Sequence, residues 1–332
     1  MSSSAAMPAV IGVGSPLVDL VLPVDEDFLA QHVSGAKGGM EPISAEDMAT
    51  IIAASGKTAH QSPGGSAANI VVGCANLGVP SAFIGSCGDD DLGLYYAEAL
   101  RAQACEPLLI GHSSLPTGRV LALITPDGER TMRTCLAAAA ELDPAWFTPE
   151  RFAGARLVVL EGYALFNPAL ARAVVRAAKA AGCELALDLA AFEVVAANRA
   201  IIGELLEAQV DIVFANQDEA LAWLPGATPE AALADLARRV PVAVVKLGKD
   251  GALVARGRER AHEVGAAVTA VDSTGAGDCW AAGFIAGYLR RAPLAACARL
   301  GNAAGAAVVQ VLGAQLPRAQ WLGIKGRLDA WA

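Results

Sequence analysis

Short apolar segments alternate with helical segments through the second half of the chain. The apolar segments are rich in branched side chains and lie at residues 157–160, 185–189, 212–215, 243–246 and 252–255. Helical periodicity is clearest between them at residues 168–181 and 200–208. Strands that are connected through helices rather than tight turns form a parallel sheet with helices on both faces. The pattern therefore predicts an α/β fold with a three-layer α/β/α core and a mostly parallel sheet.

Two parts of the first half do not fit this sheet. Residues 17–24 mix apolar side chains with Asp19, and residues 118–125 and 130–134 flank the turn sequence PDG, the pattern of a β-hairpin. We therefore assign residues 16–62 and 113–136 to a small β-sheet lid. The core takes residues 1–15, 63–112 and 137–332, with approximate boundaries.

The composition excludes several classes of protein. Of the 332 residues, 54% are apolar and 18% are charged, which is unlike a disordered chain. The formal net charge is −9 and no basic run occurs, so nothing would neutralise a nucleic-acid backbone or an anionic membrane. The longest apolar run, residues 279–289, is far shorter than the about 20 residues that a membrane span needs. We expect neither nucleic acid nor a membrane as a partner.

The N-terminal sequence and the cysteines bear on where the protein works. Residues 1–8 lack the charged and apolar regions of a signal peptide. The seven cysteines include no C-x-x-C pair, which favours reduced, buried thiols over a disulfide framework or a zinc site. We expect a cytoplasmic protein that acts on a small molecule as a monomer or a homodimer.

The segment with the strongest chemical signal is DSTGAGD at residues 272–278, directly before a helical pattern at residues 279–291. Two glycines and an alanine ahead of a helix leave backbone N–H groups unpaired, and the helix dipole adds partial positive charge. Such a turn binds anions. Asp278 would lie beside a phosphoryl group held there, ready to accept a proton from an attacking hydroxyl. The alternative is a glycine-rich helix start with Asp278 as a capping residue.

Three motifs follow one another along most of the chain. GGSAAN lies at residues 64–69, NQDE at residues 216–219, and DSTGAGD at residues 272–278. Together they resemble the signatures of the ribokinase-like, or PfkB, family of sugar and nucleoside kinases. Shorter segments resemble its bacterial adenosine kinase-like branch: KGGM at 37–40, PDGERTM at 126–132, LEGY at 160–163 and FAN at 214–216.

The resemblance implies a role for each matching residue on the acceptor side. Asp278 would be the catalytic base. Backbone N–H groups would bind the migrating phosphoryl group, and their donors would be Gly275, Ala276 and Gly277. The residues that bind the acceptor substrate would be Asp19, Gly64, Gly65, Asn69 and, from the lid hairpin, Arg133. Arg133 would reach the phosphates after lid closure, with an exposed surface arginine as the alternative.

On the nucleotide side the resemblance implies ATP and Mg²⁺ as cofactors. The ATP-binding residues would be Asn216, Lys246, Gly248, Gly251 and Asn302. Lys246 stands where a hydroxyl residue is common, and a lysine there could pair with the triphosphate. Glu219 would hold Mg²⁺ through water, and Asp272 and Thr274 would hold a monovalent cation such as K⁺.

The predicted reaction is transfer of the ATP γ-phosphoryl group to a primary hydroxyl of a nucleoside, with adenosine as the first candidate. An aromatic ring to stack on the base could come from Tyr163, Phe166 or Phe192. A ribose- or fructose-type sugar is the alternative acceptor, and a non-catalytic small-molecule-binding protein on the same scaffold is more remote. A nicotinamide dehydrogenase is disfavoured because Leu17 stands where its fingerprint needs a third glycine.

Overall fold

The computed structural model describes residues 7–35, 37–127 and 129–330. Gly128 of the predicted hairpin turn and residues 1–6 of the N-terminal segment lie outside the described residues. The strands, in chain order, are β1 (Val10–Val13), β2 (Leu17–Pro23), β3 (Met40–Pro42), β4 (His60–Gly64), β5 (Ser81–Gly88), β6 (Cys105–His112), β7 (Gly118–Ile124), β8 (Arg130–Cys135), β9 (Leu157–Glu161), β10 (Glu184–Asp188), β11 (Ile212–Asn216), β12 (Val242–Lys246), β13 (Ala252–Arg256) and β14 (Glu259–Glu263).

The helices connect and cover these strands. In chain order they are α1 (Glu26–His32), α2 (Ala45–Ser55), α3 (Ser66–Asn76), α4 (Asp91–Ala102), α5 (Pro168–Ala180), α6 (Phe192–Ala208), α7 (Gln217–Trp223), α8 (Pro229–Arg239), α9 (Ala276–Leu289), α10 (Leu294–Val308) and α11 (Arg318–Asp329). No helix of the described chain has both the length and the apolar character needed to cross a bilayer.

Nine strands form the larger sheet, in the order β14-β13-β12-β11-β10-β9-β1-β5-β6. The pairs from β12 to β6 are parallel, whereas β12–β13 and β13–β14 are antiparallel hairpin pairs. The parallel strands are apolar because both faces are covered. In β9, Leu157 and Val159 pack in one core cluster while Val158 and Leu160 pack in the other. The predicted α/β fold with a mostly parallel sheet is confirmed.

The two core clusters correspond to the two helix layers. Buried residues of α3, α4, α9, α10 and α11 belong to the first cluster. Those of α5, α6, α7 and α8 belong to the second. The site described below lies where the first layer meets the carboxyl ends of the parallel strands.

Some elements differ from the sequence prediction. β6 and β14 were not predicted, because both are edge strands with partly exposed residues that break the apolar pattern. The sequence also gave no signal for α11, whose apolar residues are few. Helix α6 begins at Phe192, well before the predicted residue 200, and changes direction at Asn198, where φ is −121°.

Five strands form a second, smaller sheet in the order β3-β8-β7-β2-β4. Val18, Leu20 and Leu22 of β2 are buried in the same cluster as Leu29 of α1 and Met48 of α2. Successive strand residues point to opposite faces, so Asp19 lies on the other face of β2. The smaller sheet therefore has one face covered by its own helices and one face turned to the site.

Candidate active site

Four neighbouring parallel strands end in a polar residue. Glu161 ends β9, Asp188 ends β10, Asn216 ends β11 and Lys246 ends β12. The strand registers pair Glu161 with Asp188 and Asn216 with Lys246. Open α/β sheets bind ligands outside the carboxyl ends of their strands, and this edge carries two carboxylates, an amide and an ammonium group.

Helix α9 begins beside this edge with the predicted anion-binding turn. Gly275 is the residue before the helix and has a φ of +73°, which favours glycine, and a Cβ there would lie 2.8 Å from Ala314. Among the described residues, no protein acceptor faces the N–H groups of Gly275, Gly277 and Asp278. The N–H of Ala276, by contrast, donates to Ser273 O at 3.2 Å. Of the three predicted donors, Ala276 therefore already has a partner within the turn.

The Asp278 carboxylate is held by the first turn of α3. Ser66 Oγ donates to Asp278 Oδ1 at 2.8 Å and Asn69 Nδ2 donates to Oδ2 at 2.9 Å. Burial raises the pKa of Asp278 to about 6, with Asp188 adding to the rise and the two hydrogen bonds opposing it. The carboxylate is thus ionised near pH 7 and close to the range where it can accept a proton.

The residues predicted for the acceptor side, Asp19 and the two glycines before α3, lie together. A Cβ on Gly64 would lie 2.7 Å from Asp19 Oδ2, so this glycine allows the strands β2 and β4 to hold the carboxylate against the backbone. Gly65 has a φ of +100°, and a side chain there would clash with Ser15 O. Burial raises the pKa of Asp19 to about 6. The buried Oδ1 of Asn69 has no partner among the described residues, which leaves an acceptor for a substrate hydroxyl.

Lys246 brings a positive charge to the same place. Its Nζ lies 3.0 Å from Asp188 Oδ2, and a Cβ on Gly277 would also lie 3.0 Å from it. Burial opposes its charge, but Asp188 and Glu219 outweigh burial, so the pKa of Lys246 is raised. An ammonium ion therefore stands directly against the anion-binding turn.

Asn216 and Glu219 form a capping box at the start of α7. Asn216 Oδ1 accepts from the N–H of Glu219 at 2.8 Å, and Glu219 Oε2 accepts from the N–H of Asn216 at 2.7 Å. Burial raises the pKa of Glu219 to about 7, against the attraction of Lys246. The carboxylate is therefore rigidly placed beside the Lys246–Asp188 pair.

On the predicted nucleotide side the residues lie at two places. Gly248 and Gly251 form the turn between β12 and β13, directly after Lys246. Asn302 lies on α10, where Oδ1 accepts from the Trp280 indole at 2.7 Å and Nδ2 donates to Glu263 O at 2.8 Å. The polar atoms of Asn302 thus already have protein partners that tie α10 to α9 and to β14.

The geometry disagrees with the role predicted for Arg133 and with the cation site predicted at Asp272 and Thr274. Arg133 is fully buried on the covered face of the smaller sheet, where its guanidinium donates to the carbonyls of Ser34, Gly39 and Met132. Arg130, three residues earlier in β8, lies on the opposite face because strand residues alternate. It is Arg130, not Arg133, that reaches toward the site.

Asp272 and Thr274, the predicted cation ligands, already have protein donors. Arg130 Nη2 donates to Asp272 Oδ2 at 2.6 Å, and Arg130 Nη1 donates to Thr274 Oγ1. The guanidinium therefore stands at the place that was predicted for a monovalent cation.

Residue-type reasoning missed four side chains of the site: Ser66, Arg130, Glu161 and Asp188. Glu161 is 1% exposed and accepts from the N–H of Ser15 at 2.7 Å and of Ala67 at 3.1 Å. Burial raises its pKa to about 7. It joins the end of β1 to the start of α3, which holds Asp278. The available signal was a carboxylate directly after an apolar run, LVVL before Glu161 and LAL before Asp188.

Curated relatives of the chain are named as kinases of a sugar, a sugar phosphate or a riboside. An ATP-dependent ribose-1-phosphate kinase from Halopiger xanaduensis is 33% identical over 260 residues, 76% of this chain and 82% of that protein. A ribokinase from Arabidopsis thaliana is 30% identical over 276 residues, 78% of this chain and 70% of that protein.

Solved structures resemble the whole fold. An adenosine kinase from Sinorhizobium meliloti is 34% identical with a TM-score of 0.86, covering 97% of this chain and 99% of that chain. A probable sugar kinase from Rhizobium etli CFN 42 is 32% identical with a TM-score of 0.85, covering 96% and 98%. The model of the pfkB family carbohydrate kinases matches residues 42–321, which contain the glycine pair, the capping box and the anion-binding turn. The chain therefore belongs to the pfkB family of carbohydrate kinases and is an ATP-dependent kinase.

Proposed function

We propose that this kinase transfers the γ-phosphoryl group of ATP to a primary hydroxyl of a nucleoside, with adenosine as the first candidate. One observation carries the proposal: the Asp278 carboxylate stands at the unpaired N–H groups that begin α9, fixed by Ser66 and Asn69. A proton acceptor and an anion-binding turn are thus joined in one place.

Asp278 is the proposed catalytic base. Its two hydrogen bonds hold the carboxylate in one orientation, so an acceptor hydroxyl beside it can lose its proton as the oxygen attacks phosphorus. The Asp19 carboxylate and the free Oδ1 of Asn69 accept hydrogen bonds from further hydroxyls of the acceptor. This arrangement suits a polyhydroxylated molecule with one reactive primary hydroxyl.

The N–H groups of Gly275, Gly277 and Asp278, together with the Lys246 ammonium ion, are the proposed donors to the migrating phosphoryl group. They carry positive charge or partial positive charge where negative charge spreads in phosphoryl transfer. Because the turn is lined by Gly275 and Gly277, the phosphoryl oxygens can approach the backbone closely.

Mg²⁺ would be held together with the nucleotide. Within the described chain, no group of three or more His, Cys, Asp or Glu side chains is arranged to hold a metal ion by itself. Mg²⁺ is commonly bound by one or two carboxylates, several waters and substrate phosphates. Glu219 and Asp188 would supply the carboxylates. Bound there, the ion would neutralise phosphate charge.

The nucleoside is favoured over a free sugar by exposed aromatic rings, of which that of Tyr163 lies near the site carboxylates. Tyr163 is 39% exposed, Phe166 60% and Phe192 52%, and the charges of Glu161 and Asp278 act on Tyr163. An apolar ring exposed beside a polar site can stack on a base. The similar structure from Sinorhizobium meliloti is an adenosine kinase. A sugar is the second candidate, because two curated relatives are named as a ribose-1-phosphate kinase and a ribokinase.

We further propose that the protein works in the cytoplasm. All seven cysteines are buried and free, which suits a reducing compartment.

The acceptor is tested by following ATP consumption with a panel of nucleosides and free sugars at one concentration. We expect the highest kcat/KM with adenosine or another nucleoside, and a Tyr163→Ala variant to raise KM for the nucleoside more than for ATP. If ribose or fructose gives the highest kcat/KM, the acceptor is a sugar and not a nucleoside.

The base is tested with Asp278→Asn, which keeps the size of the side chain. We expect kcat to fall by about 10²–10⁴-fold, the range that general-base catalysis contributes, while the Kd for ATP changes little. Calorimetry measures ATP binding and a coupled assay measures turnover. Retention of a tenth or more of the wild-type kcat would refute Asp278 as the base.

A further inference from the structure

The oxygens of Asp272 and Thr274 are occupied by donors from three parts of the chain. Asp272 Oδ1 accepts from the N–H of Thr274 at 2.9 Å and from Thr274 Oγ1 at 2.7 Å. Asp272 Oδ2 accepts from the N–H of Gly313 at 2.7 Å and from Arg130 Nη2 at 2.6 Å. A carboxylate offers about four lone-pair sites, so Asp272 has no acceptor site left for a cation.

The donor that comes from the smaller sheet is Arg130, whose guanidinium carries a full positive charge. Arg130 begins β8, and its guanidinium spans Asp272 and Thr274 with two of its nitrogens. The Asp272 side chain is 5% exposed and the Arg130 side chain 25% exposed. Burial would raise the pKa of Asp272, but the bonds from Thr274 and Gly313 and the charge of Arg130 hold it below its usual value. The pair is therefore ionic near pH 7.

This ion pair connects the lid to the anion-binding turn. Asp272 and Thr274 belong to the turn that leads into Gly275 and α9, and Gly313 follows α10. Arg130 and Asp19 are also close enough for the guanidinium to stabilise the Asp19 carboxylate. The same cation therefore acts on the acceptor side and on the turn.

We propose that Arg130 is a positioning residue that takes the place of a monovalent cation, so that the lid itself orders the Asp272–Gly275 turn and catalysis does not depend on K⁺. A guanidinium ion is permanently charged and its fork matches two oxygen acceptors at once. The part of the proposal that concerns catalysis rests on the proposed function, and the part that concerns the order of the turn does not.

The catalytic part is tested by measuring kcat and KM in KCl and in tetramethylammonium chloride at equal ionic strength. We expect the wild-type rate to differ by less than about twofold between the two salts, well below the effect of a misplaced group. Arg130→Gln should lose at least about tenfold in kcat in tetramethylammonium, because displacement of a catalytic turn is costly. KCl should restore part of that loss, since the exposed oxygens of Asp272 and Thr274 can then accept the ion.

The structural part is tested by hydrogen exchange of the backbone amides in the protein without substrate. Arg130→Gln should speed exchange at residues 271–278 and leave the strands β9 to β12 unchanged. Arg130→Lys keeps the charge but not the fork, and should give an intermediate exchange rate. The matched control is Arg290→Gln, which breaks a 2.7 Å ion pair with Asp329 at the other end of α9. That control should leave exchange at 271–278 and kcat unchanged.

The outcomes separate the two parts. A wild-type enzyme that KCl activates by about twofold or more, or an Arg130→Gln variant with wild-type exchange at 271–278, would overturn the proposal. The proposal would also be overturned if KCl restored neither the kcat nor the slow amide exchange of the Arg130→Gln variant. If no acceptor is phosphorylated by the wild type, the proposed function fails, while the exchange experiment still decides whether Arg130 orders the turn.

Discussion

At the residue scale, the proposed chemistry depends on charges that stand close together around the Asp278 carboxylate. The negative charge of Asp188 raises the pKa of Asp278, whereas the positive charge of Lys246 lowers it. Lys246 in turn is held by Asp188. The proton affinity of the proposed base is therefore set by its neighbours as much as by its own burial.

The first prediction at this scale concerns pH. Because burial raises the pKa of Asp278 to about 6 and the base must be ionised, kcat should fall as pH drops through about 6 and be level above it. Asp19, with a pKa of about 6, should add a fall in kcat/KM for the acceptor over the same range. A rate profile from pH 5 to 8 measures both. A kcat that stays level down to pH 5 would contradict the assignment.

The second prediction concerns Lys246. Lys246→Gln removes a charge that favours ionised Asp278, so the acid limb of the rate profile should move to higher pH. It should also lower kcat by about 10²–10³-fold, the effect of losing one donor to the developing charge. Lys249→Gln, an exposed lysine three residues later, is the matched control and should change neither. An unshifted acid limb would show that Lys246 does not act on Asp278.

The distinction between Arg130 and Arg133 also belongs to this scale. The family resemblance assigned a role to Arg133 alone, and the structure buries that side chain. Their spacing of three residues places them on opposite faces of β8, and which face turns to the site depends on the helices α1 and α2, far from either in sequence.

At the element scale, the position of Asp278 depends on how closely α9 packs. Helix α9 is buried along most of its length, with Gly73 of α3 against Ala282 and Gly283 against Leu300 of α10. Small residues at these contacts let the helices approach until backbone meets backbone. Helix α9 is therefore a fixed support for the turn at its start.

The prediction at this scale concerns Gly283. A Cβ there would lie 2.6 Å from Leu300 O, a backbone atom that cannot move away, so Gly283→Ala must separate α9 from α10. We expect a loss of about 1–3 kcal/mol in the free energy of unfolding, as in overpacked cores, with a lower kcat. Urea unfolding and a turnover assay measure these.

The matched control is Gly326→Ala in α11, where a Cβ meets nothing within 4 Å. Alanine favours a helix over glycine by roughly 0.5–1 kcal/mol, so this variant should be slightly more stable with unchanged kcat. Equal stability changes in the two variants would mean that helix contact at Gly283 is not the cause.

At the scale of the whole molecule, several acids of the site have raised pKa values in the folded protein. Burial raises the pKa of Asp19 and Asp278 to about 6 and that of Glu161 and Glu219 to about 7. The folded chain then binds more protons than the unfolded chain at pH 5 to 7, so stability falls as pH rises through this range. The site thus lowers the stability of the molecule near neutral pH.

The corresponding prediction is a higher thermal unfolding midpoint at pH 5 than at pH 7.5 for the protein without substrate. Asp278→Asn removes one of these acids, so it should reduce the difference and raise the midpoint at pH 7.5. Thermal unfolding followed by circular dichroism at several pH values measures this. A wild-type midpoint that rises steadily from pH 5 to 7.5 would contradict it.

Much of the fold could be predicted from local patterns. The strands β9, β10, β11 and β12 are mostly apolar runs, because a parallel sheet is buried on both faces, and their bounds were predicted within one or two residues. The edge strands β6 and β14 carry partly exposed residues and gave no such signal.

The sequence by itself determined the buried parallel strands of the larger sheet and the glycine-rich start of α9, because each follows from a local run of residue types. Only the tertiary structure decided which polar groups meet. Asn69 and Asp278 are 209 positions apart, and Arg130 and Asp272 are 142 apart. Contacts over such separations depend on helix packing and on which face of a strand turns inward, and neither is encoded in a short stretch of sequence.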